Sequence, residues 1–212
     1  VDLFFNAFKD AFSPNPAEKS GVKIYAPHRE TTQHGSSLAV KATTLVPGGL
    51  NHVVRFFTDP NGYLDRMQCW DDDMQIGERF RVDEDKFLGH MSIAMPVPAT
   101  SRDFVVYNRV VRLPNGVISV FWSCNWSKHP PDNSYFPSQV RGHIHIGGYL
   151  FEPIGQHTSR VSYVLLADPK GSLPAWMPPA VSAARAEKLS KLRQFYQSLV
   201  QQNRLNRSSF EI

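Results

Sequence analysis

Leu3, Phe4, Ala7, Phe8 and Ala11 recur at helical spacing, which predicts an opening amphipathic helix over Val1 to Phe12, ended by Ser13, Pro14 and Pro16. Period two then takes over. Gly21 to Tyr25 and Ser37 to Val46 alternate apolar and polar positions as strands do, and Gly48-Gly49 stops the second. Between Leu50 and Trp70 the residues Val53, Val54, Phe56, Phe57, Leu64 and Met67 return at three and four, and Pro60-Asn61-Gly62 divides the run into two short helices. After Asp71-Asp72-Asp73 the pattern predicts strands at Met74 to Val82, Lys86 to Met95, Asp103 to Leu113, Val117 to Trp126, Val140 to Pro153 and Ser159 to Ala167. Leu113-Pro114-Asn115-Gly116 is a hairpin connection, because Asn-Gly accepts the positive φ that twisted hairpins demand. A long helix is predicted from Pro178 to about Gln202. Leu189, Leu192, Phe195, Tyr196 and Leu199 form its apolar stripe, with Arg185, Lys188, Lys191 and Arg193 off that stripe and facing water.

Six consecutive strands with no helix between them form an antiparallel sheet. One long helix cannot cover eight or nine flat strands, so the sheet is expected to curl around it. Inward side chains that leave the enclosed space unfilled then create a ligand cavity. The expectation is an α+β fold, a curved antiparallel sheet of about nine strands wrapped around the C-terminal helix, with residues 1–212 as a single domain.

Composition narrows the function classes. The 42% hydrophobic and 20% charged residues exclude a disordered chain, and no run approaches the ~18 apolar residues of a membrane-spanning helix. Asp2, Asn6, Lys9 and Asp10 interrupt the start, so no secretory signal is expected, and the start at Val1 points to an excised or trimmed chain. Cys69 and Cys124 have no metal or redox spacing and read as reduced thiols in a cytosolic setting, a disulfide being the minority reading. A net charge of +4 tilts the chain toward an anionic membrane surface but falls short of a nucleic-acid binder.

Few residues advertise chemistry. His143 and His145 share a strand face, which allows a two-ligand metal site, but a third ligand is lacking and no metal is expected; Ile144 and Ile146 read as the buried face. Asp71-Asp72-Asp73 lacks the spacing of a calcium loop and reads as a solvated turn. No nucleophile elbow, Cys-His signature or phosphate loop is present, so neither catalytic residues nor a cofactor is expected. Lys170 to Met177 sets Leu173, Trp176 and Met177 beside a basic helix. Either this tip dips into a membrane interface, with Lys188 and Lys191 adding attraction, or Trp176 anchors the helix in the core.

Several segments in order resemble the StAR-related lipid-transfer (START) family: Gly21-Val22-Lys23-Ile24-Tyr25, Trp70-Asp71, Ser101-Arg102-Asp103-Phe104-Val105-Val106, Val140-Arg141-Gly142-His143-Ile144-His145, Gly148-Tyr149-Leu150, Thr158-Ser159-Arg160-Val161-Ser162-Tyr163 and Asp168-Pro169-Lys170-Gly171-Ser172-Leu173-Pro174-Ala175-Trp176. The resemblance implies a helix-grip fold enclosing one lipid. It also implies that the C-terminal helix and the Leu113 to Val117 loop act as a lid at a membrane, so that lipid is carried without bond making or breaking.

Alternation from Phe104 places Val106 and Asn108 on one face, expected to line the tunnel. Sterol-carrying members use a buried acid and arginine, and here Ile93 and Asn108 stand at those places. Met95 to Asp103 is closer to phospholipid carriers of the phosphatidylcholine-transfer type, which makes Arg66, near Trp70, the candidate phosphate contact. Of their aromatic cage Phe104 is kept, while Met91 and Ile146 replace aromatic residues, and Ile144 completes the expected lining. Arg102 and Asp103 are weighed as loop-fixing more than ligand-binding. A monomer, cytoplasmic and peripheral to membranes, transferring a glycerophospholipid or else a sterol, or sensing lipid as a regulatory module of a larger protein, is the resulting expectation.

Overall fold

The computed structural model describes residues 11–28, 38–124 and 138–202. Ten strands, β1 (Ala17–Lys19), β2 (Val22–Ile24), β3 (Leu38–Pro47), β4 (Met74–Asp83), β5 (Lys86–Ile93), β6 (Arg102–Arg112), β7 (Ile118–Ser123), β8 (Val140–Arg141), β9 (His143–Gly155) and β10 (Thr158–Asp168), form one sheet. Its order is β1-β2-β3-β10-β9-β7-β6-β5-β4, antiparallel along the path, with β8 joined parallel to the start of β6 through Arg102↔Val140 and Asp103↔Arg141. Three helices complete the described chain: α1 (Leu50–Thr58), α2 (Tyr63–Gln68) and α3 (Met177–Gln201).

The curved sheet and C-terminal helix follow from the alternation. On β3, Val40, Ala42, Thr44 and Val46 turn inward and are buried, while Lys41, Thr43 and Leu45 face out. Helix α3 lies on that concave face and reaches α1 through Tyr196, whose ring centroid is 5.6 Å from that of Phe56. Phe57 extends the aromatic core to Tyr149 and Phe151, at 4.5 and 5.1 Å. Such aromatic pairs add about 0.5–1.5 kcal/mol each beyond the area they bury. The β6–β7 hairpin turns as expected: Gly116 takes φ +77°, and the Leu113 N–H donates to the Val117 carbonyl at 2.8 Å.

Three sequence expectations change, and a fourth lies almost wholly outside the described residues. The opening helix falls outside the described residues except for Ala11 and Phe12, and Phe12 forms an isolated bridge with Pro27 and packs with Ala39 and Val164 on the sheet's outer face. Strand β1 was not anticipated, because Ala17, Glu18 and Lys19 are all exposed and an edge strand of that kind carries no apolar alternation. The sheet is not wholly antiparallel: the strand expected over Val140 to Pro153 breaks at Gly142 into β8 and β9, and β8 pairs parallel with β6.

The third change concerns Ile146. Ile144 points into the core, but a register shift opposes Ala167 to Ile144 and Leu166 to Ile146, leaving His145 as an extra residue in β9. Beyond this bulge Gly147, Tyr149 and Phe151 face inward, and Ile146 packs with the outer cluster of Phe12, Ala39 and Val164. Gly147 is required there because an added Cβ would lie 2.5 Å from the Trp122 indole nitrogen. Gly147→Ala is expected to lower stability by about 1–3 kcal/mol through overpacking, read as a shifted urea midpoint at unchanged slope.

Candidate functional site

Between the sheet, α2 and α3 lies an interior cavity of about 60 Å³. Its wall is mostly apolar and aromatic, with Met74, Met91, Met95, Tyr149 and Leu165 among its residues. That volume is under half of the ~150 Å³ that admits benzene in an engineered protein cavity. An acyl chain therefore enters only if the wall yields. Four methionines on the wall (Met67, Met74, Met91 and Met95), with unbranched and adaptable side chains, make repacking inexpensive.

One end of this apolar space is polar. Arg185, on α3, forms a two-pronged ion pair with Asp71, in the turn between α2 and β4, with Nη1–Oδ1 at 2.8 Å and Nη2–Oδ2 at 2.7 Å. Both side chains line the cavity, and the Asp71 side chain is only 1% exposed. Burial alone depresses a guanidinium, but Asp71 and the neighbouring Tyr163 and Tyr149 outweigh it and hold Arg185 above its ordinary pKa. It is a permanent cation. Burial pushes the Tyr149 and Tyr163 hydroxyls up, so both are neutral donors and acceptors near the pair, with ring centroids 5.1 Å apart.

The pair continues toward the surface. Lys188 reaches Asp72, lies 2.9 Å from Asp73 Oδ2 and 3.8 Å from Asp71 Oδ1, and Lys191 meets Asp72 at 2.8 Å. Hydrogen bonds from Lys188 and Lys191 hold the Asp72 carboxyl well below the usual carboxylate range. Burial opposes the Lys188 charge, but its bonds to Asp72 and Asp73 hold its pKa above the usual lysine value. Three α3 cations thus meet three consecutive carboxylates, tying the helix to the α2–β4 turn.

These contacts correct the reading of α3 and of the aspartate run. Lys188 is buried and the Arg185 side chain is 11% exposed, so neither faces water, and Asp71-Asp72-Asp73 is an ion-paired turn rather than a solvated one. Among the described residues these aspartates are the one cluster of three metal-capable groups, and their oxygens are engaged by Arg185, Lys188 and Lys191.

Six of the predicted lining residues meet at the cavity: Trp70, Met91, Ile93, Phe104, Asn108 and Ile144. Val106 is fully buried but packs in the core beside the cavity rather than on its wall. Ile146 faces outward, as described above. Arg66 also lies elsewhere. Its Nε donates to the Phe56 carbonyl at 3.1 Å and its two Nη groups donate to Asn61 and Asp59 carbonyls, so it caps the α1–α2 turn. Of the predicted surface tip, Trp176 is 54% exposed whereas Met177 is wholly buried. Leu113 is half-buried in the hairpin, and Lys191 stays half-exposed on Asp72.

Arg102 and Asp103 hold loops. The Arg102 guanidinium, buried, donates to the carbonyls of Pro169 at 2.9 Å, Lys170 at 3.1 Å and Thr100. Asp103 accepts from Arg141 at 2.6 and 2.7 Å, with His90 Nε2 at 3.4 Å. His143 and His145 pack edge to face, 4.8 Å between centroids.

Arg185, Asp71, Tyr149 and Tyr163 were missed as site residues. A signal existed for Arg185: it precedes Leu189 by four, Leu192 by seven and follows Val181 by four, so it sits on the buried stripe, not off it.

Comparison with known proteins places this geometry. Residues 18–202 match the START domain. START domain-containing protein 10 of Mus musculus and of Homo sapiens is each 29% identical over 104 residues, 49% of this chain and 34% of the relative, so the match spans about a third of those proteins. The crystal structure of human STARD10 superposes with a TM-score of 0.73 at 18% identity, covering 99% of this chain and 85% of that one. Human StAR-related lipid transfer protein 5 superposes at 0.70 and 21% identity, over 95% and 92%. At those identities the structural likeness speaks for the fold, which is the helix-grip arrangement.

Proposed function

This chain belongs to the START domain family, and on that premise we propose that it carries one glycerophospholipid, phosphatidylcholine being one example, in its interior cavity and exchanges it between membranes. The observation that carries this reading is an apolar, methionine-rich cavity with a single buried ion pair at one end, Arg185–Asp71.

Burying a CH₂ gains about 0.8 kcal/mol over water. A bilayer offers the same gain, so chain burial largely cancels on exchange, and polar contacts select the lipid. An unmatched buried polar group costs about 1–3 kcal/mol. The name of human StAR-related lipid transfer protein 5 supports lipid carriage as the general activity. The sterol alternative is disfavoured because Ile93 and Asn108, both on the cavity wall, supply no charged pair where sterol carriers have one. The wall offers binding groups rather than a nucleophile and base, so we read the site as a carrier and not a catalyst. The exposed Trp176, on the same β10–α3 connection as the exposed Lys170, suits contact with a membrane surface, on which the protein acts as a cytoplasmic, peripheral visitor. A sensing module that binds the same lipid without exchanging it is the second reading, favoured by the small resting cavity.

Native mass spectrometry of the purified protein, with extraction and fragmentation of its ligand, tests this. One glycerophospholipid per chain is the expected result, and vesicle-to-vesicle exchange then separates carrier from sensor. A protein that is empty and takes up no lipid from vesicles overturns it.

A further inference from the structure

On the lipid-binding reading above, we propose that Arg185, Trp70 and Trp122 form a donor wall that selects a ligand by its hydrogen-bond acceptors, the phosphoryl or ester oxygens of a glycerolipid.

Trp70 and Trp122 both line the cavity, 3% and 8% exposed, and neither indole nitrogen has a hydrogen-bond partner. An indole N–H only donates. Native proteins seldom leave a buried donor unmatched, because the lost hydration is not replaced. Two such donors on one cavity are therefore a demand for acceptors. Arg185 adds to it. Of the five guanidinium N–H groups, the two-pronged pair with Asp71 occupies two and the Tyr163 hydroxyl accepts from another, which leaves two. Asp71, the one carboxylate on the wall, has both oxygens engaged by that pair and Lys188 3.8 Å away, so it has little left to accept from a ligand. Tyr163 already accepts from Arg185 and the Asn108 amide already donates to the Val106 carbonyl, while the Tyr149 hydroxyl can serve either way. The balance left at the wall is donors.

A sterol brings a single hydroxyl, which satisfies one of these groups. A diacyl phospholipid brings two ester carbonyls and a phosphodiester, enough for both indoles and the guanidinium, whose planar fork matches phosphoryl oxygens. The Arg185–Asp71 pair is neutral as a whole, so the wall attracts acceptor atoms without requiring net negative charge.

The test uses the full chain incubated with vesicles of equimolar phosphatidylcholine and cholesterol, and bound lipid read by native mass spectrometry. Trp122→Phe and Trp70→Phe keep an aromatic ring and lose the donor; the double variant Arg185→Gln/Asp71→Asn keeps a neutral pair and loses the cation. Wild type is expected to take phosphatidylcholine. Each tryptophan variant should lose about tenfold in phosphatidylcholine relative to cholesterol, the worth of a hydrogen bond to a charged acceptor, and the double variant more. Vesicles carrying diacylglycerol separate the sources: uptake assigns the donors to ester carbonyls, and refusal assigns them to the phosphoryl group. Phosphatidylcholine held equally by wild type and both tryptophan variants overturns the donor wall while lipid binding stands, as does a wild type that prefers cholesterol. A wild type that takes up neither lipid overturns the lipid-binding reading itself.

Discussion

Asp71→Ala is expected to lower stability by about 3–5 kcal/mol, because it strands the Arg185 guanidinium in the interior with its partner gone. In a chain of this size that corresponds to a loss of roughly 10 °C in Tm. The double variant Asp71→Leu/Arg185→Met should recover most of that loss, since removing both charges leaves no unpaired ion to bury. Thermal unfolding of the three proteins checks this; a double variant as unstable as the single one would mean that the backbone of the α2–β4 turn, rather than charge burial, sets the cost. The neighbouring links respond to pH in a definite sense. Asp72 has a depressed pKa in the folded state, so the stability it adds is present above the ordinary carboxylate range and is lost as pH falls through the strongly acidic region.

Arg102→Met should cost about 3 kcal/mol, since three backbone carbonyls, of Thr100, Pro169 and Lys170, lose their donor while the aliphatic stem is kept. The damage should be local. Residues 169–176 connect β10 to α3, and Arg102 on β6 ties that connection to the opposite side of the sheet. Hydrogen exchange is expected to speed up in this loop and at the first turn of α3 while β9 and β10 keep their protection. Uniform acceleration across the sheet would show that Arg102 supports the whole fold rather than the loop that presents Trp176.

Arg66 and Arg185 show where reading a sequence succeeds and where it stops. Arg66 was a candidate phosphate contact because the resemblance to phospholipid carriers implies an arginine on the helix before Trp70-Asp71, but α2 is a single short helix, and its rotation sends Arg66 to the carbonyls of the α1–α2 turn. Neighbours in sequence were not neighbours in the site. Arg185 was legible by arithmetic, lying four before Leu189 and seven before Leu192, yet a charged residue on a basic helix reads as solvated until its buried partner is known. That partner, Asp71, is 114 residues away in sequence.

Periodicity alone determined the longer strands, β3 to β7, β9 and β10, and the helices α1 to α3, because period two and period 3.6 are local properties of a chain with one wet and one dry face. It also determined that a long sheet with one covering helix must curl, and that Asn115-Gly116 must turn. Tertiary structure decided the rest. The bulge at His145 reversed the facing of β9 beyond Ile144 and removed Ile146 from the lining, and a one-residue shift of that kind leaves no mark on composition. Packing of α3 against the α2–β4 turn decided which charges are buried, since the partner that neutralises a buried charge is set by folding in space and not by distance along the chain.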